Sequence, residues 1–480
     1  MHTTETGGKN FDDAGRRYLV TWTETPEPAP ELNGRWLVLG PATGSVDAIV
    51  SAWPRDQLVL LDVATDAFDR RSLAERLADQ VRVTPDLRGI VSLLALEPGP
   101  HPEFPAVPCG FAATLTVLQA QHDAGLDLPL WCVTQTAVSV EEAEAPDPTQ
   151  ASIWGLGQVA TLEFPDSWGG LVDLPAEVDD QVVDRLLALL AQSDGEQELA
   201  LRAAAGYVRR LRRTPCPSAD WEERWQPRGA ALVTGGTSGT GAQIARWLAA
   251  HGTEHLVLTS RRGPEAPDVD GLRTELEASG ATVSVAAVDV GDREALVRLI
   301  RDEQGNGAEF RTVVHAAGVP QLALIADMSL EECAEIMNAK LGGASLLDEV
   351  FSDASLDAFV LFSSIYAVWG GPMSGAYAAG NAYLDALAQR RRHCGLAATS
   401  LAWGPLGSGM LAQAPAEVRE ALRAQGFSVL PGSEAVAECV HAVQEGLTTV
   451  TVVDVDWNRF LTGGGRPLFE HVTESNSLAC

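Results

Sequence analysis

The chain has 480 residues, with 34 Lys and Arg against 65 Asp and Glu, giving a formal net charge of −31. That length can bury a full core and favours about two or three domains. So acidic a surface excludes a bulk binder of nucleic acid or of an anionic membrane, since both need a positive footprint. Hydrophobic residues at 46% and charged residues at 21% set aside wholesale disorder. No window of about 18 apolar residues runs without charge, so no spanning helix is expected. The first residues are polar and acidic without an apolar run, so no signal peptide is expected either. Seven cysteines (Cys109, Cys132, Cys216, Cys333, Cys394, Cys439 and Cys480) are scattered with no CxxC pair. A reduced, cytoplasmic chain without a metal site is the expectation.

After a tail over residues 1–17, the first half runs to residue 225. Strands are expected at 36–39 (WLVL), 57–63 (QLVLLDV), 89–96 (GIVSLLAL) and 131–136 (WCVTQT). Their short apolar runs suit strands covered on both faces, and stretches between them, such as 71–80 (RSLAERLADQ), have helical periodicity. This β/α alternation predicts an α/β layer architecture. The turn after the first strand, GPATGS, lacks the glycine density of a dinucleotide loop. A charged run at 209–213 (RRLRR), then proline, acidic residues, Trp221 and Trp225, mark a connection near 214–228.

The second half, 226–462 before a tail over 463–480, opens with a strand at 230–234 (AALVT) and a loop, Gly235-Gly236-Thr237-Ser238-Gly239-Thr240-Gly241. A helix at 242–251 stops before Gly252. Further strands are expected at 255–259, 283–288, 311–315, 358–362 and 399–402, with a seventh at 449–455. Small or polar residues follow these strands repeatedly, where ligands bind in an open α/β sheet. The fold class is therefore α/β with two Rossmann-like subdomains: a truncated structural one, and a complete doubly wound parallel sheet carrying the chemistry.

The glycine loop, between strand and helix, lets backbone approach a pyrophosphate that the helix N-terminus attracts. After the second strand, where an acid normally meets the ribose hydroxyls, stand Ser260, Arg261 and Arg262. A guanidinium there suits a 2′-phosphate and predicts NADPH. Asp289, before Val290, either accepts from the adenine amino group or caps a helix. Ala316, Ala317 and Gly318 end the fourth strand.

Tyr377 and Asn381, four apart in a helical stretch (375–387), share one face. Ser364 ends the fifth strand, and Lys340 lies in a helical stretch over 331–347. Hydride reduction of a ketone needs a proton donor on oxygen, a group to orient that oxygen, and a cation that makes the donor more acidic. Tyr377, Ser364 and Lys340 supply these in turn, and Asn381 can position a water for reprotonation.

These motifs together resemble a short-chain dehydrogenase/reductase, and within that superfamily the ketoreductase domain of a modular type I polyketide synthase. The carriers are TGGTSGTG (234–241), TSRRG (259–263), HAAG (315–318), LFSS (361–364), YAAGN (377–381) and AWGP (402–405). Ordinary members carry lysine four residues after the tyrosine. Here that place is Asn381 and the lysine stands upstream at Lys340, the exchange typical of polyketide ketoreductases. Segments WGLG (154–157) and WGGLVD (168–173) resemble that family's structural subdomain, which binds no cofactor.

The resemblance implies reduction of a β-ketoacyl thioester on the phosphopantetheine arm of an acyl carrier domain, beside other synthase domains in a larger polypeptide. Gly404 and Pro405 would flank the nicotinamide, and residues 407–411, with Met410, would begin a lid over the substrate. The stretch after HAAG reads Val319-Pro320-Gln321-Leu322, without the Leu-Asp-Asp triplet of one stereochemical class. Trp369, five residues after Ser364, matches the opposite, A-type class, which gives an L-configured hydroxyl; core packing is its plainer reading. Ser374 stands where the family often has glutamine or histidine. The basic clusters 209–213 and 390–392 are either carrier-docking sites or exposed linker and helix-end charges. The competing functions are a reductase-inactive epimerising or structural domain, which the intact tetrad disfavours, and a stand-alone alcohol dehydrogenase, which the extra half disfavours.

Overall fold

The computed structural model describes residues 15–25, 34–41, 47–63, 69–141, 143–191, 195–214, 225–409, 411 and 414–472. Met410, the linker residues 215–224, residues 42–46 of the first turn and the chain ends at 1–14 and 473–480 lie outside the described residues.

The first half contributes β1 (Arg17–Glu24), β2 (Arg35–Pro41), α1 (Asp47–Ala52), β3 (Leu58–Val63), α2 (Arg70–Val83), β4 (Leu87–Ser92), α3 (Cys109–Asp123), β5 (Leu130–Gln135), α4 (Pro148–Glu163), β6 (Trp168–Leu174), α5 (Asp180–Leu190), β7 (Glu198–Leu201) and β8 (Gly206–Arg213). The second begins with β9 (Ala230–Thr234), α6 (Gly239–Ala250), β10 (His255–Ser260), α7 (Val269–Ala278), β11 (Thr282–Ala287), α8 (Arg293–Gly305) and β12 (Phe310–His315). It continues with α9 (Leu330–Met337), α10 (Gly343–Val350), β13 (Ala358–Ser364), α11 (Ile365–Trp369), α12 (Gly375–His393) and β14 (Thr399–Trp403). It closes with α13 (Ala416–Ala424), β15 (Phe427–Ser428), α14 (Gly432–Gln444), β16 (Thr449–Val452), β17 (Asp454–Val455) and α15 (Trp457–Phe460).

Apolar strands such as β9 and β14, buried at every position, need helices on both faces, and the α/β alternation supplies them. Fifteen strands form one sheet in the order β11-β10-β9-β12-β13-β14-β16-β1-β8-β7-β6-β5-β4-β2-β3. From β11 to β16 every pairing is parallel. Strand order reverses between β9 and β12, the switch point at which such sheets bind ligands. From β7 to β3 the pairings are parallel again. Between the two blocks, β1 runs antiparallel to both β16 and β8, and β8 antiparallel to β7. Strands β15 and β17 form a separate two-stranded ribbon.

Several expectations need correction. The run 209–213 is part of strand β8, not linker: Arg209 and Arg210 are buried and pair with Glu198 and Glu196 at 2.7 and 2.5 Å. The cluster 390–392 is likewise turned inward. Arg391 is 2% exposed, lies over the Phe359 ring and pairs with Asp348 at 2.6 Å; Arg390 shares that carboxylate, and Arg392 donates to the Ala398 carbonyl. Most of this charge is therefore turned into the protein, and in the first cluster Arg212 remains exposed. Expected strand 89–96 ends at Ser92 and gives way to a 3-10 turn. Expected strand 449–455 divides between the large sheet and the ribbon.

The seam is held by a buried charge cluster. The Glu198 carboxylate accepts from Arg209 (2.7 Å), Gln158 (3.0 Å) and Arg466 (2.5 Å). The same two arginines donate to the Val368 and Trp369 carbonyls at the end of α11. Burial pushes the Glu198 carboxyl up, but Arg466 and Arg209 outweigh it and hold it below the usual carboxylate range. Glu198→Gln leaves two buried guanidiniums without an anion, and urea denaturation should register a loss of about 3–5 kcal/mol; an unchanged unfolding midpoint would remove this cluster as a source of stability.

Candidate active site

The site is built at the ends of six strands, β9 to β14. After β9, Gly235 takes a left-handed φ of 68°, and a Cβ there would lie 2.9 Å from the Ala317 amide nitrogen. Only glycine lets the loop turn this close to the end of β12. Helix α6 begins at Gly239, three residues earlier than its apolar period, and its N-cap Ser238 makes no side-chain capping bond. The first turn of α6 therefore offers its N–H groups and the positive end of its dipole to an anion. Thr237 is buried under this loop, and Thr240 Oγ1 lies 2.6 Å from Ser408 Oγ.

At the end of β10, Ser260 Oγ accepts from the Gly263 N–H at 3.0 Å, while Arg261 and Arg262 are exposed. Among the described residues, the ion pair of Arg261 is a 3.5 Å contact to Glu335. Asp289 is exposed and accepts from the Gly291 N–H at 3.0 Å. The cap of α8 is Asp292, so the alternative of Asp289 as a helix cap falls. Val290 is buried and packs close to Gly343. Ala316 donates to the Thr234 carbonyl, Ala317 is half-buried and Gly318 exposed. The Pro405 carbonyl accepts from Leu430 at 2.8 Å. An uncapped helix start, a glycine loop and an exposed guanidinium along one sheet edge fit a dinucleotide.

The four residues expected to carry the chemistry lie beside this edge. Ser364 is the last residue of β13 and caps α11, its Oγ accepting from the Tyr366 N–H at 3.3 Å. Tyr377, half-buried in the first turn of α12, meets the Tyr366 ring edge-on at 6.2 Å. One turn later, Asn381 donates from Nδ2 to the Tyr377 carbonyl at 2.7 Å. Its Oδ1 is buried without a hydrogen-bond partner among the described residues, which is an open position for a water.

Lys340 does not lie in an uninterrupted helix. A π-helical turn, Asn338–Gly342, separates α9 from α10 and carries it, a device frequent at functional sites. Its Nζ donates to the Phe362 carbonyl at 2.5 Å and stands 6.0 Å from the centre of the Tyr377 ring. A Cβ on Gly318 would lie 2.7 Å from Lys340 Cε, so the lysine also borders the end of β12.

The electrostatics differ from expectation in one respect. Burial pushes the Tyr377 phenol up, against the opposing pull of the Ser364 and Asn381 side chains. The ammonium was expected to win; instead it is turned to the Phe362 carbonyl, and desolvation dominates. Burial also pulls Lys340 from 10.5 down to about 8, with Asp385 opposing. His315, fully buried, is pulled down to about 3 by burial and by Lys340, so it is neutral. Its Nε2 faces the Lys340 carbonyl at 3.2 Å and its Nδ1 the Thr234 hydroxyl at 2.8 Å. A carbonyl only accepts, so the proton is on Nε2, and His315 ties the lysine-bearing turn to the glycine loop.

Two sequence models match the chain: one described as the KR domain over residues 229–408, the other as the Rossmann fold domain of polyketide synthase extender module SpnB over residues 20–211. Polyketide synthase GfsA of Streptomyces halstedii is 44% identical over 96% of this chain, which spans 6% of that protein's length. A solved A1-type ketoreductase is 40% identical with a TM-score of 0.89, covering 94% of this chain and 95% of its own. A solved A-type ketoreductase from a modular polyketide synthase is 40% identical with a TM-score of 0.90, covering 95% and 97%. The chain belongs to the ketoreductases of modular polyketide synthases.

Within this ketoreductase the expected stereocontrol residues take different places. Trp369 is 4% exposed, its ring edge-on to Trp457, Phe460 and Phe469, which is the plainer packing role. Ser374 is buried ahead of α12, its Oγ donating to the Pro372 carbonyl at 3.2 Å. Sequence reasoning missed Gln321, Glu163 and Asp385. The Glu163 carboxylate accepts from the Ile325 and Met373 N–H groups, both at 2.7 Å. Half-buried Asp385 accepts from Ser400 at 2.6 Å; its place one turn beyond Asn381, after Tyr377, was a signal available in the sequence.

Lys340 also sets a testable cost. Folded, it loses its proton near 8, against 10.5 for an ordinary lysine. Between those values the unfolded chain binds the extra proton, so stability rises with pH across the window; below it the charged lysine opposes folding throughout. Lys340→Met should therefore stabilise the nucleotide-free ketoreductase at pH 7 by the order of 3 kcal/mol, a gain that fades by pH 10.5. Denaturant titration at both pH values checks this, and a destabilised variant at pH 7 would refute it.

Proposed function

We propose that this ketoreductase uses NADPH to reduce the β-keto group of a β-ketoacyl thioester, carried on the phosphopantetheine arm of an acyl carrier domain within a larger synthase, to an L-configured hydroxyl. The observation that supports it most is the convergence of Ser364, Tyr377, Asn381 and Lys340 beside a glycine loop and an exposed arginine. Bound along that edge, the nucleotide supplies a hydride to the β-carbon.

The protein's residues do the rest. Gly235, Thr237, Ser238, Gly239 and Gly241 would hold the pyrophosphate at the start of α6. Ser260 and Arg261 would take the 2′-phosphate by charge-assisted bonds. Asp289 and Val290 would border the adenine, while Ala316, Ala317, Gly318 and Pro405 would flank the nicotinamide. Ser364 orients the ketone oxygen. The buried phenol of Tyr377 is fully protonated at neutral pH, the state a general acid must hold, and gives its proton to the oxygen as charge develops there. Negative charge then moves to Tyr377 Oη, where the Ser364 hydroxyl, the Asn381 amide and the Lys340 ammonium favour the anion. Asn381, with its open Oδ1, holds the water that returns the proton.

The A-type outcome rests on Trp369, on the missing Leu-Asp-Asp triplet and on the A-type neighbours. With its ring in the aromatic core, Trp369 acts through the segment 370–374, which leads into α12.

Tyr377→Phe should lower kcat by at least about 100-fold while NADPH binding stays within about twofold; appreciable turnover removes Tyr377 as the proton donor. Arg261→Ala should cut the preference for NADPH over NADH by about tenfold or more, read from kcat/KM for each nucleotide. Chiral analysis of the product from a racemic 2-methyl-3-ketoacyl thioester tests the stereochemistry, and a D-configured hydroxyl overturns the A-type assignment.

A further inference from the structure

The helix that carries Tyr377 lacks a cap of its own. Its N-cap residue Ser374 makes no side-chain capping bond, because its hydroxyl is turned back to Pro372. With the helix starting at Gly375, the second and third N–H groups belong to Ala376 and Tyr377, the two that a capping side chain ordinarily serves. Both donate to one atom from elsewhere in the chain: Gln321 Oε1, at 2.9 and 3.1 Å.

Gln321 is 6% exposed and follows β12, in the stretch after HAAG. Alongside it, the Ala323 N–H donates to the Met373 carbonyl at 3.1 Å, so this stretch is stitched to the entry of α12 at more than one point. The other end of the amide faces a second helix start. Gln321 Nε2 lies 3.5 Å from Glu332 Oε1, in the first turn of α9, where Ser329 Oγ accepts from the Glu332 N–H. Helix α9 runs directly into the π-helical turn that holds Lys340. Cys333, Ile336 and Met337 of α9 share a buried cluster with Ala376, Ala378 and Ala379 of α12. One buried amide thus touches the first turn of both helices whose side chains must meet.

We propose that Gln321 is a positioning residue for the reduction: it caps the Tyr377 helix from outside, braces it against the helix leading to Lys340, and so fixes the phenol relative to the ammonium. This rests on the roles proposed above for Tyr377 and Lys340. A side chain that only stabilised the fold would change the amount of folded protein; one that sets the position of the phenol changes the rate of each folded molecule.

The test is steady-state kinetics on the folded protein with NADPH and a β-ketoacyl thioester surrogate, alongside thermal unfolding. Gln321→Leu keeps the volume and removes all three bonds, and should lower kcat by about 10- to 100-fold with KM for NADPH little changed, the scale expected when a reacting group is misplaced by about 1 Å. Gln321→Glu keeps the acceptor for the two N–H groups but sets a carboxylate against Glu332. Adding E332Q to Q321E restores a donor opposite an acceptor, and the double variant should return to within about threefold of the parent kcat. A Q321L protein that melts earlier yet keeps its kcat overturns the proposal, as does a loss confined to KM for NADPH. If Q321L does not fold, Q321E against Q321E/E332Q decides, and equal kcat values overturn it. Y377F run in parallel separates the two levels: normal turnover there refutes the proton donor itself, whereas an inactive Y377F with an unaffected Q321L refutes only the role of Gln321.

Discussion

A close approach of two backbones helps tie the two halves of this ketoreductase together. Gly155 of α4 faces the Ala378 carbonyl of α12 at a separation in which any Cβ would collide. Helix α12 is buried on nearly every side, through Ala376, Ala378, Ala379, Gly380, Ala382, Leu384, Ala386, Leu387 and Ala388. A helix apolar all round must be covered all round. One side lies on the catalytic sheet; the covering of another is α4, from the half without a glycine loop. Remove that half and the helix bearing Tyr377 and Asn381 has an apolar face in water. The half without a glycine loop is thus part of the folding of the helix that carries Tyr377, through small residues that let two backbones meet.

Burial has a second consequence at the site. The same packing that desolvates the Tyr377 phenol and buries Lys340 disfavours both of their charged forms, raising the phenol and bringing the lysine down to about 8. For a proton donor the first of these is useful, since the phenol is loaded before the reaction. The second is the cost of an ammonium that has no ion-pair partner at hydrogen-bond distance among the described residues and is held by the Phe362 carbonyl. On the mechanism proposed above, charge complementarity is arranged for the anion that forms during reduction, not for the resting state, and the site therefore carries a destabilising charge.

The parts legible in the sequence were those governed by local pattern. Buried strands such as β9 and β13 read as apolar runs, and the glycine loop read as a turn before a helix, because strand, turn and helix are set within a few residues. The run RRLRR did not read as a strand. Its charges are satisfied by Glu196 and Glu198 and by carbonyls far away in the chain, and no local rule shows a buried partner. The interruption at Lys340 was hidden for the same reason. A π-helical turn leaves helical periodicity nearly intact, and its holder, His315, contacts it across the sheet. Gln321 carried no signal at all, since capping by a residue outside the helix leaves no trace at the helix start beyond the absence of a normal cap.

The seam explains why such distant partners can be relied on. Strand β1 lies between β16 and β8, so the first described strand pairs with the last strand of the large sheet and closes the two blocks into one. Across that seam, Arg209 and Arg466 grip the carbonyls at the end of α11, the short helix that Ser364 caps. On the opposite side of α12, Glu163 of α4 holds the N–H groups of Ile325 and Met373, and Met373 has a positive φ of 64° that needs such a restraint. Ser364 and Tyr377 are thus each followed or preceded by a segment pinned from the other half. A sheet that flexed at its seam would move serine and phenol independently; a continuous one moves them together, which is the condition for two side chains to address one oxygen atom.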